Sequence, residues 1–210
     1  MTTVDSLAAS VYVVDDDPSV RTAIKRLLAS VGLRCETFGT AFEFLDRADQ
    51  GLTGCLLLDV RMPGLSGMDL QRILNARDND LPVIFVTAHA DVPLTVRAMK
   101  AGAMEVLTKP FDDQTLLDAV HQALAQDRVR RAEREELQHH REHFETLTGR
   151  EKEVMSLIVT GMLNKQVADA LGTAEKTVKV HRGQVMHKMH ADSLAELVRI
   201  ADRLGISARG

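Results

Sequence analysis

The feature that most constrains this sequence is a repeated alternation of short apolar runs and helical periodicities through residues 1–123. Each run has the length of a strand, and each is followed by apolar residues at the three- and four-residue spacing of an amphipathic helix. Residues 55–60 (CLLLDV) are nearly all apolar, which is typical of a central parallel strand buried on both faces. Five such strand–helix units predict a doubly wound α/β domain with a five-stranded parallel sheet.

The predicted elements follow from these runs and from their caps. Strands are predicted at residues 11–14, 34–38, 55–60, 83–87 and 105–107. Helices are predicted at residues 18–31, 41–48, 65–76, 91–101 and from 114 onward. The first helix has Asp17 as its predicted N-cap and Pro18 in its first turn.

Polar side chains close four of the predicted strands, at the sheet edge where α/β proteins of this kind bind ligands. Three carboxylates there repel one another unless a cation lies between them, and oxygen ligands of this type favour Mg²⁺. An ammonium group and a hydroxyl group beside them can bind a phosphoryl group, which an aspartate takes up as an acyl phosphate. The residues concerned are Asp15, Asp16, Asp59, Thr87 and Lys109.

Each of these residues also has an ordinary structural interpretation. Asp15 and Asp16 can be solvated acids beside a helix cap, Lys109 a surface lysine, and Thr87 a hydroxyl that caps a loop. Five such coincidences at one sheet edge are far less expected than a single site.

The charge distribution divides the chain in two. The net charge is −4, but residues 1–123 carry 11 Lys/Arg against 17 Asp/Glu, whereas residues 148–210 carry 10 against 7. An acidic first domain and a basic second domain predict different partners.

The apolar runs of the sequence are shorter than a membrane helix, which needs about 20 residues, and the first ten residues do not have the pattern of an export signal. We expect a cytoplasmic protein with no membrane partner, in which Cys35 and Cys55 are reduced.

Residues 124–146 contain neither Gly nor Pro and are dense in charge. They predict a charged helical linker between a domain at residues 1–123 and one at residues 147–210, with a solvated linker as the alternative and too few apolar residues for a coiled coil. His139 and His143 are four residues apart and therefore share a helix face. Because no carboxylate or cysteine pattern completes a zinc site, we interpret His139, His140 and His143 as a chance cluster.

Residues 147–210 predict a small all-α domain of four helices. Thr148 and Glu151 have the spacing of a capping box at the start of the first helix. The second helix ends at Gly172, and two short helices joined by a tight turn of this kind are typical of a helix-turn-helix.

The third of these helices, at residues 175–189, predicts a DNA-binding surface, with Thr173 as its N-cap. At about 100° per residue, Val178 and Val185 share a core face, whereas cations, an amide and a small apolar group share the opposite face. Such a face suits base edges in the DNA major groove, and the residues at its flanks suit phosphates. A solvated charged face is the alternative for a helix taken alone. The predicted DNA-binding residues are Lys176, Thr177, Lys179, Val180, Arg182, Gly183, Gln184 and Lys188.

Residues 10–125 resemble the receiver domain of response regulators, which has a flavodoxin-like fold. The resemblance is carried by VVDDD at residues 13–17, LLDVRMPG at 57–64, VTA at 86–88 and KPF at 109–111. It implies that Asp59 accepts a phosphoryl group from a histidine kinase, and that Thr87 and Lys109 contact the phosphoryl oxygens. It also implies that Mg²⁺ is held by Asp16, Asp59 and the Arg61 backbone carbonyl, with Asp15 acting through water.

One position departs from the pattern of the receiver family. The family usually has an aromatic residue three positions before the lysine of the Lys-Pro motif, where this chain has Val106. Valine has no ring to bury or expose, so we expect the switch to depend on Thr87 and on repacking of the helix at residues 91–102.

Residues 147–207 resemble the LuxR-type helix-turn-helix of the NarL/FixJ family, and the chain as a whole resembles its FixJ-like subgroup. The matching segments are GMLNKQVA at residues 161–168 and KTVKVHR at 176–182. The resemblance implies promoter DNA and RNA polymerase as partners, and a homodimer that forms on phosphorylation. It suggests the first and last α/β elements of the receiver and the final helix of the chain as the surfaces involved.

Two other functions compete with this interpretation. An aspartate-based phosphohydrolase needs a second aspartate two residues after its nucleophile, where this chain has Arg61. Neither a dinucleotide-binding fingerprint nor a P-loop is present, so we expect no turnover of an external metabolite. A constitutive DNA-binding protein, with its first domain serving only for protein docking, is the remaining alternative.

Overall fold

The computed structural model describes residues 9–48 and 51–206. The chain divides into two compact units, with the boundary between residues 130 and 131. Residues 1–8, on which the expectation about an export signal depends, lie outside the described residues. Across the described part of the chain, no helix is both long and apolar enough to cross a bilayer.

The first unit is a five-stranded parallel sheet with strand order β2-β1-β3-β4-β5. Its strands are β1 (Ser10–Val14), β2 (Arg34–Phe38), β3 (Gly54–Asp59), β4 (Val83–Thr87) and β5 (Glu105–Thr108). The helices that follow them are α1 (Pro18–Ser30), α2 (Ala41–Ala48), α3 (Gly67–Ala76), α4 (Val92–Lys100) and α5 (Asp113–Glu145). The predicted doubly wound α/β fold is confirmed.

Two apolar layers cover the two faces of this sheet. On one face, Tyr12 and Leu56 pack with Phe44 of α2 and with side chains of α3 and α4. On the other face, Val11 and Leu57 pack with side chains of α1 and α5. Because neighbouring residues of one strand point to opposite layers, the central strands are apolar at nearly every position, which produces the unbroken runs in the sequence.

Local hydrogen bonds set the helix starts of this unit. The Asp17 side chain accepts from the Ser19 amide at 2.7 Å, so the predicted N-cap of α1 is confirmed. Helix α3 begins at Gly67, two residues later than predicted, because the Ser66 hydroxyl accepts from the Asp69 amide at 3.2 Å and caps the helix there.

The stretch predicted as a linker is helical to Glu145, where it forms the second part of α5. Its first residues belong to the α/β unit: the Asp127 carboxylate is buried and accepts from the Gly54 amide at 3.0 Å. Its later residues belong to the second unit, where Phe144 packs against the apolar core. Residues 124–145 are thus helical, and Asp127 is the one buried residue among them.

The second unit contains α6 (Gly149–Ile158), α7 (Asn164–Leu171), α8 (Glu175–Lys188) and α9 (Leu194–Arg203). The capping box of Thr148 and Glu151 at the start of α6 is confirmed. Val178 and Val185 of α8 are fully buried in the core of this unit, as their spacing predicts. Thr173 is not the cap of α8: the helix begins after Ala174, which has no side-chain cap bond, so the prediction for Thr173 is wrong.

The two cysteines are free thiols, Cys55 buried and Cys35 half-buried. Burial raises the pKa of Cys55 to about 12 and that of Cys35 to about 11, so both thiols stay protonated at neutral pH.

Candidate functional site

Three carboxylates meet at the carboxyl edge of the sheet. Asp15 and Asp16 directly follow β1, and Asp59 ends the neighbouring strand β3. One oxygen atom of each lies within 4.8 Å of the others. Asp15 is 2% exposed and Asp59 is 8% exposed, whereas Asp16 is open to solvent. We call these three residues the carboxylate cluster.

Lys109, which follows β5, reaches into the carboxylate cluster. Its Nζ lies 2.6 Å from Asp15 Oδ2 and 3.0 Å from Asp59 Oδ2. Burial raises the pKa of Asp15 and outweighs the ammonium beside it. Burial by itself would lower the pKa of Lys109, but its bonds to Asp15 and Asp59 together outweigh it and raise that pKa. The Lys109 ammonium thus supplies a positive charge beside the two buried carboxylates of Asp15 and Asp59.

The turn after β3 holds the Asp59 carboxylate in place. The Arg61 amide donates to Asp59 Oδ1 at 3.1 Å, while the other oxygen accepts from Lys109. Gly67 packs its backbone against this turn, and a Cβ at Gly67 would lie 2.1 Å from the Asp59 carbonyl oxygen. Sequence reasoning missed Gly67, although a glycine directly after the α3 cap Ser66 is a signal for close backbone approach.

Thr87 and Val106 lie on the next two strands. Thr87 ends β4 and is 1% exposed. Its carbonyl oxygen accepts a hydrogen bond from the Lys109 amide at 2.7 Å, and its hydroxyl oxygen accepts one from the His89 amide at 3.3 Å. Val106 is half-buried and packs against the apolar layer of α2, α3 and α4. Val106, at the position where the family usually carries an aromatic ring, therefore makes an ordinary core contact.

The donor atoms of the carboxylate cluster fit a hard cation, because all of them are carboxylate oxygens. Both oxygens of Asp15 already accept hydrogen bonds, from the Asp17 amide at 2.9 Å and from Lys109. Asp16 is exposed at the rim of a cavity of about 760 Å³ that Arg61 and His89 also line. Of the carboxylate cluster, Asp16 is the member that lines this cavity.

The outward face of α8 carries the predicted polar and cationic side chains. The residues on it are exposed: Lys176, Thr177, Lys179, Val180, Gly183 and Gln184. A Cβ at Gly183 would meet no atom within 4 Å, so this part of the helix surface is open. The structure therefore separates α8 into a buried apolar face and an open polar face.

Two of the predicted DNA-contacting cations also form bonds within the second unit. Arg182 Nη1 donates to Asn164 Oδ1 at 3.2 Å. Lys188 Nζ lies 2.7 Å from Glu151 Oε2, and Glu151 is buried. The sequence placed both residues at the flanks of the face, where a side chain can reach a neighbouring helix as well as solvent. Lys188 is thus paired with a buried carboxylate in the protein without DNA, and its contact with phosphate stays a prediction.

Bonds from neighbouring helices set the turn between α7 and α8. Arg150 Nη2 donates to the Leu171 carbonyl at the end of α7 at 2.7 Å. Lys165 is exposed in the first turn of α7, which the bond between Arg182 and Asn164 places beside the middle of α8. Sequence reasoning did not single out Lys165, because its position beside α8 depends on how the two helices pack.

Two family profiles match the chain and together span most of it. The response regulator receiver domain matches residues 11–121, and the luxR family of bacterial regulatory proteins matches residues 145–201.

Individual proteins match over nearly the whole length. Nodulation protein W of Bradyrhizobium diazoefficiens is 52% identical, over 97% of this chain and 89% of that protein. The transcriptional regulatory protein FixJ of Azorhizobium caulinodans is 42% identical, over 94% of this chain and 93% of that protein. The solved structure of the response regulator StyR matches with a TM-score of 0.82 at 49% identity, over 93% of this chain and 99% of that one. The chain therefore belongs to the NarL/FixJ-type response regulators, which join a receiver domain to a LuxR-type DNA-binding domain.

Proposed function

We propose that this response regulator controls transcription through phosphorylation of Asp59 by a histidine kinase. The observation that carries the proposal is the position of Lys109 Nζ, 3.0 Å from the Asp59 carboxylate and 2.6 Å from that of Asp15. A cation held beside an aspartate is the arrangement that stabilises a transferred phosphoryl group, because such transfer depends on positioning and charge neutralisation.

The proposed step is a displacement at phosphorus. A carboxylate oxygen of Asp59 attacks the phosphoryl group of a phosphohistidine, the P–O bond forms as the P–N bond breaks, and the imidazole leaves with the electron pair and is protonated by solvent. Lys109 and the Thr87 hydroxyl would bind the phosphoryl oxygens. Mg²⁺ would supply the second neutralising charge, held by Asp15, Asp16, Asp59 and the Arg61 carbonyl.

The proposed output is tighter binding to promoter DNA. The open face of α8, which we call the recognition face, carries exposed cations and an amide that suit base edges in the major groove. Two copies on a two-fold site bind more tightly than one, so a homodimer formed on phosphorylation would raise occupancy. RNA polymerase is the proposed partner at the promoter, and the cytoplasm is the proposed setting.

The test compares Asp59→Asn with the wild-type chain in DNase footprinting on a promoter fragment recovered from the source genome. We expect a small phosphodonor such as acetyl phosphate, with Mg²⁺, to increase protection by the wild type and to leave Asp59→Asn unchanged. Asp46→Asn, which alters an exposed acid on α2, is the matched control and should respond like the wild type. Equal protection by wild type and Asp59→Asn under both conditions would instead support constitutive binding.

A further inference from the structure

Lys188, in the last turn of α8, connects three parts of the second unit. Its Nζ lies 2.7 Å from Glu151 Oε2 in the first turn of α6, and it donates to the Thr146 carbonyl at 3.3 Å. Thr146 lies between the end of α5 and the start of α6. One ammonium group therefore bonds both to α6 and to the segment that precedes it.

Glu151 is already committed to the start of α6. The same Oε2 atom accepts from the Thr148 amide at 2.7 Å, which closes the capping box. Its side chain is 7% exposed, against 28% for the Lys188 side chain. The hydrogen bond from Lys188 is the main reason that the pKa of Glu151 lies below its usual range, so the carboxyl stays charged. A buried carboxylate needs a nearby cation, and Lys188 supplies it.

The middle of α8 is attached elsewhere, through the bond from Arg182 to Asn164 at the start of α7. The middle of the helix is thus bonded to α7, and its end to α6 and Thr146. A helix presented to the major groove loses contacts when it tilts or shifts, since bidentate base contacts need defined geometry.

We infer that Lys188 is a positioning residue for DNA binding: paired with Glu151, it sets the orientation of the recognition face and does not contact phosphate. The inference rests on the proposed role of that face. In this role Lys188 raises the affinity for DNA by orienting α8. A lysine that contacts phosphate would instead raise the affinity by releasing counterions from the DNA.

The test uses the full chain and a duplex selected by the wild type from random-sequence DNA. The variants are Lys188→Met, which keeps the aliphatic stem, Lys188→Arg, and Glu151→Gln, which keeps a side chain able to close the capping box. Lys179→Gln is the matched control, because Lys179 is an exposed cation on the same helix. Affinity is measured by fluorescence anisotropy over a salt series, well below each variant's melting temperature.

We expect Lys188→Met to weaken binding by about tenfold and Glu151→Gln to weaken it similarly, with the double variant no weaker than Lys188→Met alone. Lys188→Arg should bind within about twofold of the wild type, because the guanidinium also pairs with a carboxylate. The double variant has the same net charge as the wild type and should keep the wild-type salt slope, whereas Lys179→Gln should reduce that slope by about one.

Two results would overturn the inference. A double variant whose salt slope falls by about one would identify Lys188 as a phosphate contact. Unchanged affinity of the folded single variants, with only their melting temperatures lowered, would show that the pair matters for stability and not for binding. If Lys179→Gln alters neither affinity nor slope, the recognition face itself is wrong, which is a separate failure of the proposed function.

Discussion

At the sheet edge Lys109 lies between two buried carboxylates, whereas on α8 Lys176 and Lys179 project into solvent. The first lysine stabilises charges of its own domain, whereas the other two form no ion pair with the described residues and are open to a ligand. Lys188 resembles Lys109 more than its neighbours on α8, since its ammonium is bonded to a buried glutamate. The contrast leads us to expect that the availability of a cation for DNA depends on its partners in the fold and not on the helix that carries it.

The largest expected effect comes from removing the cation at the sheet edge. Lys109→Met should slow phosphoryl uptake from a small phosphodonor by about 100-fold, because it removes a positive charge placed beside the acceptor carboxylate. Uptake can be followed by mobility shift on phosphate-affinity gels. Lys25→Met, which removes an exposed lysine on α1, is the control and should leave the rate unchanged. Phosphoryl uptake by Lys109→Met at the wild-type rate would show that the Lys109 ammonium, although paired with Asp15 and Asp59, does not assist the reaction.

Two glycines provide a second test of the contrast between the packed sheet edge and the open face of α8. Gly67→Ala should destabilise the receiver by about 3 kcal/mol, because the added Cβ would lie 2.1 Å from the Asp59 carbonyl oxygen and force the turn apart. Gly183→Ala has no atom within 4 Å of its new Cβ and should stabilise α8 by up to about 1 kcal/mol. Chemical denaturation of both variants measures the difference. Similar destabilisation by the two substitutions would contradict the assignment of Gly183 to an open surface.

The smallest expected effect concerns histidine in the second unit. The ring centroids of His143 and His190 lie 4.5 Å apart, and burial, together with the charges of His190, His139 and His140, lowers the pKa of His143 from its ordinary value of 6.5. A lowered pKa means that folding favours the neutral ring. Its contribution to stability is therefore complete above pH 6.5 and is lost as the pH falls below that value toward the pKa of the folded state.

Thermal melts between pH 7.5 and pH 5 measure this effect. The melting temperature of the second unit should fall less in His143→Gln than in the wild type, since the variant has no ring to protonate at this position. His121→Gln, which changes an exposed histidine of the first unit, is the control. A wild type and a His143→Gln variant with the same pH dependence would show that protonation of His143 does not affect folding.

The sequence predicts the sheet edge well because parallel strands force their carboxyl ends together. Once the five strands are assigned, Asp15, Asp59 and Lys109 have little freedom to lie elsewhere. The partners of Lys188 and the cap of α8 are harder to predict, because they depend on how helices pack. A residue at the flank of a helix lies near solvent and near neighbouring helices at once, and only the packed structure shows that Glu151 lies within reach of Lys188.

The hydrogen bond that the Gly54 amide donates to the Asp127 carboxylate has a consequence for exchanging domains between regulators. It fixes the helical phase of α5 at the base of the sheet, since one residue inserted earlier in the helix would rotate the carboxylate away by about 100°. A fusion joint placed at residue 124, where the change in composition suggests one, would discard this bond. A chimaera joined after residue 130 would keep it, and its receiver would retain the buried partner that Gly54 requires.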